Sequence, residues 1–279
     1  MPRDEILMWR PNGDVIAWDV ALGASGFTTL INISPLTNEV YVPGNYLPAA
    51  GDELIFQTNF GGAVWNPRLG NNGFLPAPDF RASQEGIPGN FTGSASTDGI
   101  FLTTARDLVV YDFTAGTFQT LFNLAPQWTL IGAADLDGNG QAEVAISSPQ
   151  GDYFVFEPGT GAFRSLISLP PSTGWVAAAR GNYTGSAAED VALLNTQTGA
   201  VVLWDVTLGV NGFQPLLTLN AGWGVASNFH GDVDGDGYDD GLFFGPRGEY
   251  VMLGSSAGFI DLTNILAGNT FLGVGDVTG

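Results

Sequence analysis

Asp135-Leu136-Asp137-Gly138-Asn139-Gly140-Gln141-Ala142-Glu143 and Asp232-Val233-Asp234-Gly235-Asp236-Gly237-Tyr238-Asp239-Asp240 are two copies of one nine-residue loop. Oxygen-bearing side chains occupy positions one, three, five and nine, and glycines at four and six let the backbone turn tightly. Looser copies start at Asn45, Asn90 and Asn182 and close on Asp52, Asp98 and Asp190, and another starts at Asp276. The starts recur about every 46 residues, a period that belongs to repeat architectures. Joining the two ends of the chain would leave one more interval of about the same length. The spacing therefore predicts a ring of six units, with Asp4 closing the last loop.

Between loops the same order of short apolar runs recurs. Glu5-Ile6-Leu7-Met8-Trp9 or Val191-Ala192-Leu193-Leu194 follows a loop, and Val15–Val20, Leu108–Phe113 and Val201–Val206 form the next run. A turn then ends on Gly-Phe at Gly26-Phe27, Gly73-Phe74, Gly212-Phe213 and Gly258-Phe259. Four runs per repeat, each bounded by Gly, Asn or Pro, read as the four strands of a propeller blade. The expectation is an all-β, six-bladed β-propeller of four-stranded blades, one domain over residues 1–279. Its N-terminal strands and the Phe271–Gly275 strand share a blade, so no sheet edge dangles. Trp18, Trp65, Tyr111, Phe156, Trp204 and Leu253 recur at one place in the third strand, as wedges between blades.

Composition narrows the function. Forty Gly and sixteen Pro argue against a helical protein, and 44% hydrophobic residues supply a core. Eight Arg, no Lys and 28 acidic residues give a formal charge of −20. Nucleic acid and membrane insertion are therefore not expected partners, and cations are. Without Cys, with His230 alone and without Lys, thiol, Schiff-base and multi-histidine metal chemistry are excluded. Gly254-Ser255-Ser256-Ala257-Gly258 fits Gly-x-Ser-x-Gly but has no helix after it to form a nucleophile elbow. The chain reads as a non-enzyme.

The two full loops suit calcium, which accepts an irregular shell of oxygens. Asp135, Asp137, Asn139 and Glu143 are the expected ligands of one ion, with Gln141 offering its carbonyl. Asp232, Asp234, Asp236 and Asp240, with the carbonyl of Tyr238, would hold a second. The Asn90–Asp98 and Asn182–Asp190 loops keep one carboxylate each and are expected to hold their turns by hydrogen bonds, without metal. Asn90-Phe91-Thr92, Asn182-Tyr183-Thr184 and Asn32-Ile33-Ser34 also match the glycosylation pattern.

The Asp-x-Asp-Gly-Asx-Gly loops, the strand after them, and Leu7-Met8-Trp9-Arg10 followed by Gly13 and Trp18 resemble the FG-GAP or VCBS-type repeats of integrin-like β-propellers. The similarity covers essentially the whole chain. It implies a calcium-stabilised propeller at the cell surface or outside the cell, serving adhesion or ligand binding. Fungal and bacterial lectins use similar repeats, which implies carbohydrate as a candidate ligand.

Trp128, Trp175 and Trp223 each precede a loop by a similar distance and enter the innermost strand from one rim. Their faces could stack on sugars, with Gln127 and Arg180 as polar companions, or fill gaps between blades. Three readings are carried forward: a glycan- or protein-binding module, a self-associating assembly unit of a larger surface protein or fibre, and a polysaccharide-acting enzyme. A targeting segment, if the protein is exported, is expected outside this sequence.

Overall fold

In strand β1 (Glu5–Trp9) apolar residues follow one another, and successive side chains of a strand leave opposite faces. Ile6 and Met8 join a buried cluster with Val233, Leu242 and Val274, while Leu7 joins another with Leu54, Phe56 and Trp65. A sheet that must cover both faces has to stand between two others, and repeating that requirement arranges sheets around an axis.

The computed structural model describes residues 4–33, 39–40, 43–47, 51–58, 61–79, 83–93, 97–226, 231–247, 250–254, 258–262 and 268–278. Four consecutive strands form one sheet in β4–β7 (Glu39–Val40, Leu54–Thr58, Gly61–Trp65, Phe74–Ala77) and in β8–β11 (Ser83–Gly89, Asp98–Thr103, Asp107–Asp112, Thr117–Asn123). The same holds for β12–β15 (Thr129–Ala134, Glu143–Ser147, Asp152–Glu157, Ala162–Ser168) and β16–β19 (Trp175–Gly181, Asp190–Asn195, Ala200–Trp204, Phe213–Thr218). It holds again for β20–β23 (Gly224–Val225, Gly241–Phe244, Tyr250–Gly254, Gly258–Asp261). The remaining sheet, in the order β24-β1-β2-β3, joins β24 (Thr270–Gly275) to β1, β2 (Asp14–Trp18) and β3 (Phe27–Asn32).

The expected count of six blades is corrected to five blades of continuous chain among the described residues, and the sheet shared by the two chain ends is the one expected. Among the described residues five blades are continuous lengths of chain, and the other four-stranded sheet is a composite of both ends, with Ile6 opposite Val274 and Trp9 opposite Thr270. The acid that closes a loop needed correcting as well. In the Asn45 and Asp276 loops Glu53 and Glu5, not Asp52 and Asp4, accept the loop amides, from Leu47 at 3.0 Å and Val277 at 3.0 Å.

Apolar clusters fill the contacts between neighbouring blades. Ile100, Leu108 and Val110 meet Leu130, Val144 and Phe156, and Val155 meets Leu193 and Trp204. Leu194 and Val201 meet Phe243, and Ile55 and Val64 meet Phe101. Each third-strand aromatic also carries the Phe that opens the fourth strand: Trp18 on Phe27 at 5.4 Å, Trp65 on Phe74 at 5.6 Å, Tyr111 on Phe118 at 4.7 Å and Trp204 on Phe213 at 5.5 Å. Three of the Gly-Phe turns are six-residue 3-10 segments kinked at a glycine, Val20–Ser25 at Gly23, Pro67–Asn72 at Gly70 and Val206–Asn211 at Gly209. Asp19, Asn66 and Asp205 cap them, and the indole N–H of Trp18, Trp65 and Trp204 donates to the carbonyls of Gly23, Gly70 and Gly209.

A backbone bond links each loop to the next blade. The residue before each closing acid donates its N–H to the carbonyl of the preceding loop's first residue: Asp4 to Asp232, Asp52 to Asp276, Thr97 to Asn45, Ala142 to Asn90, Glu189 to Asp135 and Asp239 to Asn182. Four of these residues return the contact through their carboxylates. Asp4, Asp52, Glu189 and Asp239 accept the N–H of Asp232, Asp276, Asp135 and Asn182 at 2.7–3.0 Å.

Gly209 has φ 56° and ψ −132°, and a Cβ there would meet nothing within 4 Å. Gly209→Ala thus adds backbone strain alone, and we expect it to lower stability by about 1–3 kcal/mol, read as a lower Tm. Burial pushes Asp52 up to about 6 and Glu53 up to about 7. Protonation of such groups favours the folded state; the stabilisation is complete below about pH 4 and fades as pH rises through about 6 to 7. Calcium-saturated protein should therefore melt at a lower temperature at pH 8 than at pH 5, and the opposite trend in a pH series of Tm would refute this account.

Candidate functional site

Strand register fixes which loops share a face. Ala134 pairs with Glu143 and Val144 with Phe156, so the loop between β12 and β13 and the turn between β14 and β15 leave the same end of the blade. Repeated around the ring, this places the acidic loops near the axis and the Gly-Phe turns at the rim of one face.

Each full loop is wound around its first carboxylate. Asp135 accepts the N–H groups of Asn139 at 3.0 Å and Gly140 at 2.8 Å. Asp232 accepts those of Gly235, Asp236 and Gly237 at 2.6, 2.9 and 2.8 Å. Left-handed glycines make the winding feasible, with φ 75° and 85° at Gly138 and Gly140 and 82° and 94° at Gly235 and Gly237. Asp137 and Asn139 accept the N–H groups of Asn139 and Gln141, and Asp234 and Asp236 those of Asp236 and Tyr238. The closing acids come from the following strand: Glu143 accepts from Leu136 at 2.8 Å, and Asp240 from Val233 at 2.8 Å and Asp234 at 3.2 Å.

Carboxylate oxygens of Asp135, Asp137 and Glu143 lie within 4.8 Å of one another, as do those of Asp232, Asp234 and Asp240. Burial, reinforced by the neighbouring aspartates, pushes Glu143 and Asp240 up to about 7. Asp240 Oδ1 is buried without a hydrogen-bond partner. A convergent set of hard oxygens with an unanswered carboxylate oxygen fits a cation such as calcium. The side chains at position seven do something else: a Cβ on Gly93 would fall 2.7 Å from the Gln141 amide, and one on Gly185 would fall 2.2 Å from the Tyr238 ring. Gln141 and Tyr238 thus lie over the preceding blade's loop, and only their carbonyls are left for an ion.

On the axis beside these loops is a cavity of about 340 Å³, lined by Asp4, Asp52, Arg180, Glu189 and Asp239 among others. Burial pushes Asp4 and Glu189 up to about 7, and raises Asp239 as well. Burial also lowers the pKa of Arg180, which the nearby Glu189 opposes. The sequence reading missed this group, although it left a trace: Asp4-Glu5, Asp52-Glu53, Glu189-Asp190 and Asp239-Asp240 are acidic doublets, one member closing its own loop and the other reaching the preceding loop.

The proposed sugar site does not come together. Arg180 lies at the axial end of β16, opposite Val191, whereas Trp175 starts that strand opposite Asn195. They are about 16 Å apart along the strand. Trp128 packs on Phe154 at 5.4 Å, and Gln127 beside it is exposed. Trp175 lines an apolar groove with Ile167, Leu193, Val202 and Phe213. Trp223 packs against the cluster of Leu194, Val201 and Phe243. Each indole therefore serves a different junction. His230 and Ser255–Ala257 lie outside the described residues, as do Ser34 and Ser94 of the Asn-rich motifs.

No protein-family model matches the sequence, and no curated protein matches it. Solved structures do. A chain of a nidogen–laminin complex is similar with a TM-score of 0.61 at 7% identity, over 97% of this chain and 97% of that one. The putative TolB of Agrobacterium tumefaciens gives 0.54 at 11% identity, over 99% of this chain and 91% of that one. At these identities the likeness establishes the fold: the chain is an all-β propeller.

Proposed function

We propose that this propeller is a calcium-stabilised, non-enzymatic binding module of the FG-GAP/VCBS type, acting outside the cell or on its surface, with a protein segment as its ligand. The observation that carries this reading is the pairing, on one face, of the carboxylate-lined axial cavity with apolar tips around it. Leu22, Leu69 and Leu208 sit at the same place in three Gly-Phe turns and are 60%, 63% and 54% exposed. A basic side chain in the mouth with apolar neighbours on the rim would match both parts, and the formal charge of −20 favours a basic partner. The similar chain in a nidogen–laminin complex comes from a protein–protein assembly, which agrees with a protein ligand. The mouth's carboxylates each hold a backbone N–H, an arrangement suited to recognition rather than proton transfer.

Loops with three or four carboxylates and neutral oxygens suit the modest calcium affinity of extracellular modules, with Kd of about 10⁻⁴–10⁻³ M. Chelation should lower Tm by about 5–10 °C, and Asp234→Ala measured in calcium should reproduce part of that loss. An unchanged melting temperature would remove calcium from the account. For the ligand, surface plasmon resonance with a Leu-flanked hexa-arginine peptide should show binding that weakens with salt and falls about 10-fold in Asp52→Asn/Asp239→Asn. Equal binding of the citrulline version of that peptide would refute the proposal. So would a glycan-array signal untouched by the two substitutions.

A further inference from the structure

The loop from Asn182 to Asp190 contains two buried oxygens without hydrogen-bond partners. Asp190 is 0% exposed; its Oδ2 accepts the N–H groups of Thr184, at 2.8 Å, and Tyr183, while Oδ1 has no hydrogen-bond partner. Burial raises the pKa of Asp190 and the Thr184 side chain beside it lowers it; Thr184 Oγ1 is itself buried and meets no partner in full hydrogen-bonding geometry. Asn182 Oδ1, at the loop's first position, accepts the N–H of Gly185 at 2.8 Å.

The Asp232–Asp240 loop shows what this arrangement means. There Asp240 Oδ2 takes the two loop amides and leaves Oδ1 buried and unpartnered, and the carboxylate approaches oxygens of Asp232 and Asp234 within 4.8 Å. The same amide bonds on Asp190 Oδ2 turn its Oδ1 toward the equivalent gap, whose other walls are the neutral oxygens of Asn182 and Thr184. The Tyr238 ring, lying over Gly185, covers the loop from the next blade. An ionised oxygen without a donor is costly to bury, and a cation would remove that cost. Affinity for a divalent ion follows the number of ligand charges, and here there is one carboxylate.

We propose that the Asn182–Asp190 loop is a further cation site, taking a singly charged hard ion such as sodium between Asp190 Oδ1, Thr184 Oγ1 and Asn182. This reverses the expectation that the loop is held by hydrogen bonds alone. The Asn90–Asp98 loop shares part of this arrangement: Asn90 Oδ1 and Asp98 Oδ1 are buried and unpartnered, but the Thr92 hydroxyl there donates to Asp98 Oδ2 at 2.8 Å.

Crystals of the calcium-loaded protein grown with thallous acetate in place of sodium salts test the site directly. The expected result is an anomalous peak between Asp190 and Thr184. A water, a calcium ion or no density at that point would overturn the assignment. In solution, at matched ionic strength, Tm should be about 2–4 °C higher in sodium chloride than in choline chloride, and the difference should shrink in Thr184→Val. Equal melting in the two salts, or a difference that Thr184→Val leaves intact, would also overturn it. The crystal measurement uses the unaltered protein, so a poorly folded variant leaves the proposal testable.

Discussion

The ring depends on one short contact made at every junction: an amide beside the closing acid of one blade bonded to the carbonyl that opens the preceding loop. Hydrophobic burial is non-directional and would let neighbouring sheets slide over one another. A hydrogen bond with a fixed donor and acceptor sets how far around, and how high, each blade sits relative to the last. Where the donor residue is Asp or Glu, its carboxylate bonds back and doubles the contact. The acidic loops therefore join blades as well as enclosing the gaps that suit cations, and a change at an acidic doublet is felt on two blades.

Much of this was legible in the residues. The loop period, the third-strand aromatics and the apolar runs on both sides of each loop led to a propeller, because burying a large side chain at one fixed place per repeat requires a neighbour there. The ligand sets of the two full loops could be read because glycine placement and oxygen spacing act within nine residues. What acts between blades was not legible. Asp52 and Glu53 are adjacent acids of similar chemistry, and only the register of β5 determines that Glu53 turns into its own loop while Asp52 reaches Asp276. Trp175 and Arg180 looked like companions five residues apart, but an extended strand carries them to opposite ends.

The tryptophans show how one residue type takes two roles. Trp18, Trp65 and Trp204 are almost wholly buried, stack on the next strand's Phe and spend their indole N–H on a glycine carbonyl, so a turn's shape is tied to the packing beneath it. Trp128, Trp175 and Trp223 stand at the other end of the blades and remain part-exposed. Each packs into the apolar cluster of a different blade junction.

The composite sheet has a mechanical consequence. Glu5 lies opposite Gly275, and β1 and β24 run antiparallel, so the chain enters and leaves the ring at the same end of one strand pair. Tension applied across those two points would load the pair's hydrogen bonds one after another, peeling them open rather than shearing them together. The seam is thus the place where the ring yields first to a pull, while the five continuous blades are spared until it has parted.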